Sequence, residues 1–308
     1  MGRDPEYLAF MRLVERTLAD APEQTVDEER AGHAGALAAI PRPPVAHVED
    51  LKVAGLRARL YHPSPGQALP GLVFFHGGGF HLGTVEGYDP MARVLALATE
   101  CAVVSVEYRL APEHPFPAGV EDAVAATVDV ADRTAELGID PDRLGVAGDS
   151  AGGNLAAVVA LRLRDTHPLA LQLLIYGVYD LVTPLERRPD PDGLNISGGD
   201  WDTTRGRYLA GADPHHPDAS PMLAPDLTGA PPAVVVTAEY DRLCAQGEQY
   251  ADRLRASGVA VTLVPGTGLD HAFLAWGTFA RRPAEAIAEI GATVRTAFRT
   301  VTTEPGLA

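Results

Sequence analysis

The stretch that most restricts how this 308-residue chain can fold is Gly148-Asp149-Ser150-Ala151-Gly152-Gly153-Asn154. It demands a strand, a sharp turn and a helix in immediate succession. The run 142–147 before it ends in apolar residues and reads as a buried strand, and 154–163 behind it is a strong helix former. Gly148 and Gly152 leave out the Cβ atoms that would collide where the strand and helix approach each other. Such a turn lifts the Ser150 hydroxyl to its apex, and the helix N-terminus behind it favours developing negative charge. With 6 serines and 31 glycines the chain should hold only about 0.06 accidental Gly-x-Ser-x-Gly matches, so Ser150 is read as a nucleophile on an elbow.

Strand and helix signals alternate around that elbow. Tyr7, Phe10, Met11, Val14 and Leu18 predict an amphipathic helix over 7–18. Residues 19–44 read as polar and broken, and Pro41-Arg42-Pro43-Pro44 marks the join to the main domain. Strands are predicted at 45–50, 55–61, 71–75, 102–106, 171–176, 233–238 and 260–264. Helices are predicted at 88–99, 118–136, 245–257 and 283–299, with an irregular Pro- and Gly-rich insertion at 181–220. This order implies an α/β fold with a mostly parallel, doubly wound sheet and helices on both faces.

Composition narrows the partners. A formal charge of −16 argues against nucleic acid and against an anionic membrane surface. The apolar runs are too short to span a bilayer, and residues 1–6 lack the apolar core of a signal peptide, so a cytoplasmic protein is expected. The two cysteines show neither a disulfide framework nor metal-ligand spacing, and no metal or cofactor is expected. Cys244 is read as a small buried helix residue rather than a second nucleophile. A homodimer stays open.

A serine needs a base, and the base needs an orienting partner. Of the ten histidines only His271 follows the last predicted strand, in the Gly-rich loop 266–271, while His33, His47, His62, His167, His215 and His216 read as surface or loop residues. For the carboxylate, Asp241 follows strand 233–238 and Asp180 ends the strand before it; Asp241 is preferred because an acid is expected to precede the histidine there. Asp270 adjoins His271, and neighbours in a loop seldom face each other. After strand 71–75, His76-Gly77-Gly78-Gly79 can aim backbone N–H groups into a cleft. With Ala151, the groups of Gly78 and Gly79 are the candidate donors to a tetrahedral oxyanion.

Taken together, His76 to Phe80, Tyr108 to Ala118, Gly148 to Asn154 and Ala219 to Leu243 resemble the bacterial hormone-sensitive lipase family of α/β-hydrolase esterases, over about residues 45–300. The resemblance implies an α/β-hydrolase catalytic domain at 45–308 and a helical cap built from 1–44 and the insertion. It also implies Ser150, Asp241 and His271 as the triad and Gly78, Gly79 and Ala151 as the oxyanion hole. Phe80, Trp201 and Tyr208 are the candidate contacts to a small ester. Two departures stand out: Arg242-Leu243-Cys244-Ala245-Gln246-Gly247 replaces a charged stretch ending in Asp-Glu-Gly, and Ala272 stands where Gly commonly follows the histidine. Hydrolysis of short- to medium-chain esters through an acyl-enzyme is the expected activity. An amidase or deacetylase with the same triad, or a non-catalytic ligand receptor, are the alternatives.

Overall fold

The computed structural model describes residues 2–19, 24–185, 189–194 and 200–301. Its strands are β1 (His47–Val53), β2 (Leu56–His62), β3 (Leu69–Phe75), β4 (Ala102–Val106), β5 (Ile139–Asp149), β6 (Leu171–Ile175), β7 (Ala233–Ala238) and β8 (Val261–Gly266). They form one sheet in the order β1-β2-β4-β3-β5-β6-β7-β8. Only the β1–β2 and β2–β4 pairs are antiparallel. Every residue of β4, β6 and β7 is buried, which is why these strands are predominantly apolar, with one buried polar residue each, rather than alternating.

The helices are α1 (Pro5–Ala19), α2 (Val26–Ala38), α3 (Asp89–Thr99), α4 (Ala118–Asp132), α5 (Ala151–Leu163), α6 (Trp201–Leu209), α7 (Cys244–Ala256) and α8 (Arg281–Val301). Val120, Leu155 and Tyr250 bring α4, α5 and α7 into the core on one face of the sheet. Met11, Leu95 and Ile290 bring α1, α3 and α8 into the core on the other. The chain steps from β3 to β4 on one side and then returns to place β5 on the opposite side of β3. Direction therefore reverses between β3 and β5, and a crevice opens beyond their carboxyl ends. The loop at 76–79 and the elbow at 150 both lie at that point.

Three expectations need correction. The stretch 19–44 is not broken throughout, because α2 occupies Val26–Ala38. It starts in a capping box, in which Thr25 accepts from the Glu28 N–H and Glu28 accepts from the Thr25 N–H at 2.9 Å. Only Leu37 of α2 is fully buried, so no apolar stripe advertises it. The insertion likewise contains α6, capped by Asp200, whose side chain accepts from Asp202 and Thr203. His62 is buried on β2 rather than exposed. The side chain of Leu18 and residues 186–188 and 195–199 of the insertion lie outside the described residues.

Candidate active site

The elbow forms where β5 ends and α5 begins. Ser150 sits between them at φ 54, ψ −117, a region that non-glycine residues rarely enter. It is held there by its N–H, which donates to the Ile175 carbonyl at 2.9 Å, and by its carbonyl, which accepts from Val178 at 3.3 Å. The flanking glycines are a steric necessity. A Cβ on Gly148 would lie 2.0 Å from the Gly152 carbonyl oxygen, and one on Gly152 would lie 1.9 Å from that of Phe75.

Beyond the elbow, His271 Nε2 lies 2.9 Å from Ser150 Oγ and His271 Nδ1 lies 2.5 Å from Asp241 Oδ2. A carboxylate can only accept, so Nδ1 carries the proton and bare Nε2 faces the serine hydroxyl. The Asp241 side chain is only 2% exposed, whereas that of His271 is 34% exposed and within reach of a bound molecule. The second Asp241 oxygen accepts the Leu243 N–H at 2.9 Å. Burial pulls the His271 pKa down, but the charge and hydrogen bond of Asp241 outweigh it, and the net result is a raised value. The Tyr176 ring, at φ 36 just beyond β6, meets the His271 ring edge-to-face at 5.0 Å.

Asp180, the runner-up acid, is turned to another task. Its oxygens accept from the N–H groups of Val182 (2.7 Å) and Thr183 (3.1 Å) and from the Thr183 hydroxyl. Gln246 accounts for the first departure in sequence: its Oε1 accepts from the N–H groups of Tyr179 and Asp180, and its Nε2 donates to the Asp180 carbonyl. A neutral amide thus braces α7 against the loop that follows β6. Ala272 accounts for the second, since it sits at φ 61, ψ 22, a left-handed conformation that costs a non-glycine residue about 1 kcal/mol. Cys244 opens α7 and is buried.

The loop after β3 turns through Gly78 (φ 111) and Gly79 (φ 60). Among the described residues, the N–H groups of Gly78, Gly79 and Ala151 donate to no backbone carbonyl. Beneath the loop is a buried polar layer. Asp149 Oδ1 accepts the Gly77 N–H at 2.8 Å, and burial pushes the Asp149 pKa up to about 7. His76 Nδ1 donates to the Gly77 carbonyl at 2.8 Å, and the Tyr108 hydroxyl donates to the His76 carbonyl at 2.7 Å. Burial pulls the His76 pKa down to about 4, so the ring is neutral and suits a support rather than a proton carrier. At the far side, His81 Nδ1 contacts the Gly79 carbonyl at 2.9 Å and Nε2 contacts Glu29 of α2 at 3.1 Å. Glu29 in turn pairs with Arg207 of α6 at 2.6 Å.

Phe80 and Tyr208 are both buried and stack with ring centroids 3.7 Å apart. They pack in one apolar cluster with Ala151, Val178, Leu181 and Leu243, and Trp201 lies half-buried against it. The aromatic pair is therefore a wall beside the elbow, with much of each ring face already covered by the other. Sequence reasoning overlooked Asp149, Tyr176 and the pair His81 and Glu29. The clue for Tyr176 was its place at the carboxyl end of a buried strand. Asp149 and His81 were visible only as polar residues beside motifs, and Glu29 lies far from any motif in sequence.

The sequence profile of a family described as having the alpha/beta hydrolase fold matches residues 72–275. The carboxylic ester hydrolase LipN of Mycobacterium tuberculosis is 41% identical over 251 residues, covering 77% of this chain and 67% of that protein. An arylesterase of Saccharolobus solfataricus is 38% identical over 285 residues, covering 89% of this chain and 93% of its own length. The solved structure of a hyperthermophilic esterase from Pyrobaculum calidifontis superimposes with a TM-score of 0.87 at 36% identity, over 98% of this chain and 100% of that one.

Proposed function

Because the chain belongs to the hormone-sensitive-lipase-like family of α/β-hydrolases, we propose that it is a serine carboxylesterase whose reaction runs through Ser150, His271 and Asp241. The observation that carries the assignment is the hydrogen-bonded chain from Ser150 Oγ through the His271 ring to the Asp241 carboxylate. As Ser150 Oγ bonds to the ester carbonyl carbon, its proton passes to His271 Nε2. The carbonyl oxygen becomes an oxyanion beside the N–H groups of Gly78, Gly79 and Ala151. The bond to the leaving oxygen then breaks, and His271 delivers its proton to the departing alcohol. Water attacks the acyl-enzyme by the same route in reverse, freeing the acid and restoring the Ser150 hydroxyl.

His271 can accept a proton only when neutral. Its pKa is raised in the folded protein, so kcat/KM should fall with decreasing pH along a limb centred above the ordinary histidine value of about 6.5. A kcat/KM profile with its acid limb below that value would contradict the coupling to Asp241.

We further read α1, α2 and the insertion carrying α6 as a cap over the catalytic domain. The links from Arg207 of α6 to Glu29 of α2, and from Glu29 through His81 to the loop at Gly79, support this. With Phe80 and Tyr208 stacked as a wall and Trp201 beside them, an enclosed acyl site should accept only chains that fit within it. A preference for acyl chains of about eight carbons or fewer is expected. A series of p-nitrophenyl esters of rising acyl length, run beside the matching anilide, tests it. Preference for long-chain emulsified triglycerides would refute the cap, and faster cleavage of the anilide would refute the ester assignment. No helix among the described residues is long and apolar enough to cross a membrane. Two buried thiols suit a reducing compartment, which supports a cytoplasmic location.

A further inference from the structure

Arg3 is among the most heavily engaged side chains of the molecule, and its contacts converge on the candidate site. It lies ahead of α1, yet its side chain is only 1% exposed. All five N–H bonds of its guanidinium are used. Nε and Nη2 donate to the two oxygens of Asp270, at 2.8 and 2.5 Å. Nη1 and Nη2 donate to the two oxygens of Asp190, at 2.8 and 2.9 Å, and Nη1 also reaches Asp192 at 3.0 Å. Its central carbon Cζ lies over the Tyr240 ring, 4.0 Å from the centroid. Paired forks of this kind are strong and geometrically strict, because both partners are planar.

The placement of these partners matters more than their number. Asp270 immediately precedes His271, and Tyr240 immediately precedes Asp241. The two loops are already joined where the Tyr240 N–H donates to the Leu269 carbonyl at 3.0 Å, and the Glu239 side chain accepts the Gly268 N–H at 2.7 Å. Arg3 grips the same two loops from outside, and Tyr7 of α1 adds its hydroxyl as an acceptor for the Asp270 N–H at 3.4 Å. Asp190 and Asp192 belong to the insertion, so one guanidinium joins the N-terminal segment, the insertion, the acid loop and the base loop. The titratable groups facing it are Asp190 and Asp192 from the insertion, Asp270 and Tyr240 from the loops, and Tyr7 from α1. Burial raises the Tyr7 pKa and keeps that hydroxyl neutral, which leaves Arg3 as the neutralising charge for Asp270.

We propose that Arg3 is a positioning residue for the acid–base pair, holding the Asp241 and His271 loops in register and making their alignment depend on the seating of the N-terminal segment and residues 189–192. The proposal rests on the catalytic assignment made above. Without Arg3, Asp270 becomes an unpaired buried carboxylate next to the base, and it both loosens the loop and favours the imidazolium form of His271.

The test compares kcat, KM and the pH profile of kcat/KM for p-nitrophenyl acetate in the full chain and three variants: Arg3→Met, Arg3→Lys and Arg3→Met with Asp270→Asn. Arg3→Met is expected to lower kcat by about 10- to 100-fold, to change KM less, and to move the acid limb to higher pH. Arg3→Lys should return the acid limb to its original position but recover only part of kcat, since a point charge cannot make the double fork. The double variant should also return the acid limb, because the unpaired charge is gone, while kcat stays low. Unchanged kcat and acid limb in Arg3→Met, with only a lower melting temperature, would overturn the proposal. Should Arg3→Met be insoluble, wild-type kcat in a folded double variant would overturn it equally. Activity surviving in His271→Ala in the same assay would instead overturn the catalytic assignment and leave the Arg3 clamp a structural one.

Discussion

Ester hydrolysis by Ser150→Ala is expected to fall by about 10⁶-fold, to the residual rate that binding and oxyanion donors alone can sustain. The substitution removes one hydroxyl, whose structural contact is the 2.9 Å hydrogen bond to His271. The elbow itself does not depend on that hydroxyl. Its backbone is held by Ile175 and Val178, and alanine meets the same left-handed strain at φ 54 that serine already bears. The variant should therefore fold with a melting temperature close to that of the wild type. An alkyl phosphonate should add one equivalent of mass to the wild type, mapped to the Ser150 peptide, and none to the variant. Substantial turnover in Ser150→Ala, or label on another residue, would remove Ser150 from the mechanism.

Exchanging the two candidate acids should give opposite results. Asp241→Asn is expected to lower kcat by about 10⁴-fold. An amide can turn its NH₂ toward His271 Nδ1, and the proton then shifts to Nε2, where it blocks acceptance from Ser150. The carboxylate that raises the His271 pKa is lost as well. Asp180→Asn should leave kcat within a few-fold and instead cost about 1 kcal/mol of stability, because Oδ1 still serves the Val182 and Thr183 N–H groups while the lost Oδ2 was the acceptor for the Thr183 hydroxyl. Chemical denaturation and steady-state kinetics on both variants separate the two effects. A large rate loss in Asp180→Asn with a mild one in Asp241→Asn would reverse the assignment.

Local chemistry made much of this protein legible before any coordinates. The elbow could be read because steric exclusion at Gly148 and Gly152 leaves few other residues able to occupy a strand-to-helix corner. The parallel sheet could be read because β4, β6 and β7 are buried on both faces and so are predominantly apolar along their whole length. The loop at 76–79 announced itself through three consecutive glycines, two of which adopt positive φ. α2 escaped because a helix that buries only Leu37 prints almost no periodic signal, even though Thr25 and Glu28 spell out its cap. α6 escaped for a related reason, in a segment whose Pro and Gly content dominates the local pattern.

Other features were settled only by tertiary structure. Asp180 and Asp241 both end or follow buried strands, and nothing within a few residues of either says which one meets His271. That is decided by the pairing of Ala238 with Gly266 at the ends of β7 and β8, which brings the loops after these two strands side by side. Asp180, after β6, is meanwhile drawn into its own turn. Asp149 looks like one more residue of the elbow motif until packing buries it under Gly77 and raises its pKa. Arg3 is the extreme case, since 267 positions separate it from Asp270. Periodicity, caps and turns act over a few residues and so leave a trace in the sequence that can be read directly. The direction of a side chain from a loop, and the charge it meets there, depend on segments brought together only when the whole sheet has formed.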